Sequence, residues 1–202
     1  QDVTLAIRGR LAMSKGSAAA PGDYVVSLLN IWPTVEAHYA SELPADLRAV
    51  MEAYADGVNL YAAQHPEQVA ASALPFTGQD VAAGFLFKMP FFYGLDKTLK
   101  QVFEGKAELV KTPTGSNAVA VAPIRSSDGA TRLLVNSHQP YTGAVAWYEA
   151  VLQSDEGWHV AGGFFPGSPF MLHGHNEHLG WANTVNAPDL ADVYQLTSNP
   201  EN

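Results

Sequence analysis

The chain has 202 residues and no cysteine, which excludes a disulfide framework and a thiolate zinc site. Charge is scarce at 15% of residues, and positive charge most of all: eleven Lys and Arg face twenty Asp and Glu, a net charge of −9. The eleven are scattered rather than clustered, so no nucleic-acid partner is expected. No stretch approaches ~18 consecutive apolar residues, so no membrane insertion is expected. Gln1-Asp2-Val3-Thr4 is not a charged-then-apolar leader, so no signal peptide is read here. An exported bacterial protein without cystines remains compatible with all of this.

What is present is apolar bulk, 47% of residues, enough for one sizeable core or two modest ones and too much for a disordered chain. The first 95 residues read as helical. Leu47, Val50, Met51, Tyr54, Val58 and Tyr61 recur at helical spacing, which predicts a helix from Ala45 to about Gln64, with Pro44 at its start and Pro66 just past its end. A second helix is expected after Thr77-Gly78-Gln79-Asp80, from Val81 to about Lys88. Residues 96–115 are rich in lysine and poorly periodic, and read as a linker or spacer. Residues 116–202 read as β-rich. The alternating run Asn117–Pro123 and the return Thr131–Asn136 flank Asp128-Gly129, a hairpin signature. Tyr148–Gln153, Trp158–Gly162 and Asp192–Leu196 are further strand candidates.

Four groups of residues could carry chemistry. Ser116 follows Gly115 at the start of the first strand. A serine hydroxyl needs a base, and an N-terminal serine has one in its own α-amine, provided that bond 115–116 is cut. By spacing alone, a turn before a strand is the stronger reading of Gly-Ser-Asn. His138 follows the returning strand, so a paired hairpin brings it near Ser116. His173, His175 and His178 with Glu177 invite a zinc reading, but the helical His-Glu-x-x-His spacing is absent. Asp189-Leu190-Ala191-Asp192 offers two carboxylates and a carbonyl to a hard cation such as calcium, or is a solvated loop.

Taken in order, Gly115-Ser116-Asn117, Leu134–His138, Phe165–Pro169 and Gly174–Thr184 resemble the penicillin acylase family of N-terminal-nucleophile hydrolases, as do Leu43–Arg48 and Ala53–Asn59 for its small-subunit helix. The resemblance implies an α+β chain, part of an αββα fold, with residues 1–95 from the small subunit, 96–115 a spacer removed or cut on maturation, and 116–202 opening the large subunit on an antiparallel sheet that starts at Ser116. It implies autocatalytic cleavage between Gly115 and Ser116, Ser116 as nucleophile, His138 assisting by hydrogen bonds, and the Val185 N–H in the oxyanion hole. It further implies a structural calcium at Asp189, Ala191 (carbonyl) and Asp192, with no cofactor needed for the chemistry. The substrate would be a small N-acyl amide (a penicillin, a cephalosporin or an N-acyl-homoserine lactone), and the partner would be the other part of the same precursor after cleavage.

Gln139 and His173 would line the acyl pocket, where they replace aromatic residues of the phenylacetyl-specific type. Both departures argue against a phenylacetyl-specific pocket, and His138 and Val185 lean instead toward the branch that takes fatty or dicarboxylic acyl chains. Family members are several times longer and bacterial, periplasmic or secreted, so the chain is expected to be an internal fragment, inactive by itself. Two alternatives stay open: a metal-dependent hydrolase built on His173, His175 and His178, and a noncatalytic domain binding ligand on Trp147-Tyr148 and Phe164-Phe165.

Overall fold

The expected helical half forms first along the chain: α1 (Asp2–Ile7), α2 (Ala12–Lys15), α3 (Ala20–Leu28), α4 (Ile31–Glu42), α5 (Ala45–Gln64), α6 (Gly78–Phe92) and α7 (Leu95–Phe103). The computed structural model describes residues 2–92, 94–106, 115–143 and 145–185, with Asp192, Tyr194 and Thr197. The core gathers Ile7, Val26, Ile31, Val35, Tyr39, Met51, Val81 and Phe87 from α1 and α3–α6. Of the stripe read on α5, Met51 is buried, whereas Val50 and Tyr61 are exposed. Ala55 and Ala62 complete the inward face instead, because small side chains let α5 approach its neighbours closely.

Polar pins set the helices against each other. Thr77 caps α6 through a reciprocal box, in which its N–H and hydroxyl both donate to the Asp80 carboxylate at 2.8 Å while the Asp80 N–H reaches back to the Thr77 hydroxyl. This cap starts α6 at Gly78, three residues before the expected Val81. The same carboxylate takes both Nε and Nη2 of Arg8 at 2.8 and 2.7 Å, which ties α1 to α6. The Asn59 side chain brackets the backbone N–H and carbonyl of Phe76, and so holds the segment before α6 on α5.

The segment read as a linker opens with α7, not with irregular chain. Leu95, Leu99, Val102 and Phe103 fall at helical spacing there, a periodicity the surrounding lysines obscure. Residues 107–114 of that segment lie outside the described residues.

The second half is antiparallel throughout: β1 (Ser116–Val121), β2 (Arg132–Ser137), β3 (Tyr148–Gln153), β4 (His159–Phe164), β5 (His173–His175) and β6 (Gly180–Trp181). The chain is therefore α+β, as expected. Among the described residues the strands divide into two sheets, β1–β2 and β3–β4–β5–β6, rather than one sheet running on from Ser116. The hairpin is in register from Ser116↔Ser137 to Val121↔Arg132. Its connection is longer than a tight two-residue turn: a 3₁₀ turn at Pro123–Arg125 precedes Asp128-Gly129, and Arg132 grips the Asp128 carboxylate with both terminal nitrogens. That grip holds the Asp128 carboxyl far below the usual carboxylate range. The candidate strand Asp192–Leu196 falls largely outside the described residues.

Candidate functional site

The end of the β1–β2 hairpin gathers the chemistry-bearing residues. Ser116 is the first residue of β1 and stands opposite Ser137, the last of β2. Its hydroxyl donates to the carbonyl oxygen of Gly115 at 2.8 Å, so the potential nucleophile rests against the peptide unit that precedes it. Its backbone N–H donates to the Thr184 hydroxyl at 3.0 Å, across 68 residues of sequence. Val185, half-buried, follows Thr184 and is therefore carried to the same end of the hairpin.

His138 is the first residue beyond β2 and is exposed. Its Nε2 meets Asn117 Oδ1 at 2.7 Å, so the hairpin brings it beside the residue after Ser116. An amide oxygen only accepts, so Nε2 is the donor in this contact.

Gln139 and His173 line one cleft of about 900 Å³ between β2 and the larger sheet, where β4 and β5 contribute, together with Ser137, Val135 and Trp147. His173 is 5% exposed, and its Nε2 meets the Asn183 carbonyl at 2.6 Å. The Trp147 ring stands edge-on to it at 4.6 Å between centroids. Among the described residues, His173 Nδ1 and Trp147 Nε1 are both buried without a hydrogen-bond partner.

The histidine run does not form a metal centre: among the described residues no three of His, Cys, Asp and Glu are placed to hold a metal ion. His173 is committed to Asn183, while His175 and His178 are exposed. Asn176 organises the turn after β5, its side-chain oxygen accepting the N–H groups of His178 and Leu179. Of the aromatic residues read as a ligand surface, Phe165 is 2% exposed with Trp147 packed edge-on against it, while Tyr148 is exposed. Asp189 and Ala191 lie outside the described residues. Asp192 is described, but one carboxylate cannot define a calcium site that needs six to eight oxygens.

Two contacts escape the sequence reading, Thr184 with Ser116 and Asn117 with His138. The first joins a backbone N–H to a hydroxyl and the second joins two side chains, and both depend on tertiary placement. The only sequence signal for the first is that Thr184 directly precedes Val185.

The model of the penicillin amidase family matches residues 1–202. The chain belongs to that family. Acyl-homoserine lactone acylase PvdQ of Pseudomonas fluorescens strain Pf0-1 is 30% identical over 209 residues, which cover 89% of this chain and 26% of that protein. The namesake of Pseudomonas putida is 38% identical over 87 residues, 43% of this chain. Aculeacin-A acylase of Actinoplanes utahensis is 32% identical over 71 residues, 35% of this chain and 9% of its own length. The chain thus spans at most about a quarter of these relatives, all of which are acylases by name.

Proposed function

We propose that this chain carries the cleavage junction and the nucleophile of an amide-hydrolysing acylase. The observation that carries the reading is the placement of Ser116: first in its strand, its hydroxyl on the Gly115 carbonyl and its nitrogen on Thr184. Attack of Ser116 Oγ on the Gly115 carbonyl carbon moves the acyl group from nitrogen to oxygen. Water then cleaves the ester, leaving a carboxylate on Gly115 and a free α-amine on Ser116. That amine, still within reach of the Thr184 hydroxyl, becomes the base that takes the Ser116 proton when the hydroxyl attacks a substrate amide.

The acyl-enzyme that follows is hydrolysed by water, releasing the acid. The Val185 N–H is the proposed oxyanion donor and His138 a proposed hydrogen-bonding assistant, held by Asn117. The substrate is an N-acyl amide, its acyl group in the cleft with Gln139 and His173. An N-acyl-homoserine lactone is the first choice, since the relative covering most of this chain is named for that substrate. An exported location, assembly with the remainder of the precursor and a structural calcium that includes Asp192 belong to the same proposal, and no step runs through the ion.

Intact mass and N-terminal sequencing of the complete protein test this. A new N-terminus at Ser116 is expected. In Ser116→Ala, neither cleavage nor hydrolysis of N-decanoyl-homoserine lactone should occur, a loss of at least ~10³-fold. An active protein with bond 115–116 intact would overturn it.

A further inference from the structure

Lys88 has no role in the chemistry above and an unusual setting. It sits in α6 with only 6% of its surface exposed. Among the described residues it has no carboxylate partner and no hydrogen bond. Its ammonium lies over the rings of Phe165 and Phe85, at 5.2 and 5.8 Å from the centroids. Burial pushes its pKa down. Gly84, one turn earlier, faces the ammonium: a Cβ built there would touch Lys88 Nζ at an ordinary contact distance of 3.6 Å.

The lysine lines a cavity of about 740 Å³ whose mostly apolar walls include Val3, Ile7, Val58, Leu74 and Val81, with the polar groups of Thr4, Tyr54 and Gln68 among them. The nearest acid in that wall, Asp80, is saturated by Arg8 and Thr77 and does not serve Lys88. An ammonium held among aromatic rings without an anion is costly to bury, and the cost falls when an anion enters. One positive charge matches one negative charge.

We propose that this cavity binds a monocarboxylate carried on an apolar chain, with Lys88 as its charge partner. The carboxylate meets the ammonium, and the chain displaces water from the aliphatic walls. The proposal concerns binding, so it stands or falls independently of Ser116.

Calorimetric titration of the complete protein with decanoate and decan-1-ol tests it, in the wild type and in Lys88→Met, Lys88→Gln and Lys88→Arg. Decanoate is expected to bind the wild type and Lys88→Arg, and to bind Lys88→Met and Lys88→Gln at least about tenfold more weakly. Decanol should bind all four alike, which also reports that the cavity is still formed. Failure of the wild type to bind decanoate, or equal binding after loss of the charge, would overturn the proposal.

Discussion

Asp80 shows how much a single carboxylate can organise. Its side chain is fully buried, it caps α6 and it takes the Arg8 guanidinium, so it joins local helix chemistry to tertiary packing. Arg8→Met removes the counter-charge but leaves the carboxylate, and should cost about 3–5 kcal/mol by urea denaturation of the complete protein. Adding Asp80→Leu to Arg8→Met should recover part of that loss, since an apolar pair of similar volume does not bury a lone charge. Tyr39 allows a pH test. Burial first, and then its hydrogen bond to the Glu52 carboxylate, raises its pKa from 10.0 to about 12. The fold thus favours the protonated phenol, so this contribution is whole below pH 10 and is lost as pH rises toward 12. The stability difference between wild type and Tyr39→Phe should shrink over that window and stay constant below it. At this scale Ser116 and His138 were visible in the sequence because they stand at strand ends. Thr184 was not, because nothing local links it to a residue 68 positions away.

Elements were legible where the chain punctuates itself. Pro44 and Pro66 bound α5, and Ala45–Gln64 is the helix observed. Tyr148–Gln153 likewise appears as read. Sheet membership was not legible, because alternation reports a strand's two faces and not its hydrogen-bonded neighbour. Nor was α7, where charge drew attention from a four-residue apolar stripe. The β4–β5 pairing depends on another local feature, the absence of a side chain at Gly162. A Cβ there would run into the His173 carbonyl oxygen and the Gly174 Cα, both backbone atoms that cannot swing aside. Gly162→Ala should therefore push β5 off β4, destabilise the complete protein by about 2 kcal/mol or more, and displace His173 from Asn183. A denaturation midpoint unchanged from wild type would show that the strands absorb the methyl group.

At the scale of the whole molecule, the two halves differ in how well they close. The helices surround a core, although Tyr24, Leu60 and Phe103 stand exposed on them, and the sheets carry apolar side chains into solvent with less core behind them: Val119 on β1, Leu134 on β2, and Tyr148 and Val151 on β3 are each more than half exposed. The accessible surface is 13880 Å², whereas a compact monomer of this mass exposes about 9,200 Å². The uncovered strands fit a chain that spans about a quarter of a longer relative. Burial of that surface, at ~25 cal/mol per Å² of apolar area, is the driving force available to whatever covers it. The 202-residue chain alone should therefore bind the dye ANS strongly and elute from size-exclusion chromatography as associated species, with self-association rising with protein concentration. The complete protein should do neither, because the same strand faces are then inside. A monodisperse, dye-silent preparation of the isolated chain would mean that its sheets close on themselves in solution, and the two-sheet arrangement described here would then be the wrong picture of the free chain.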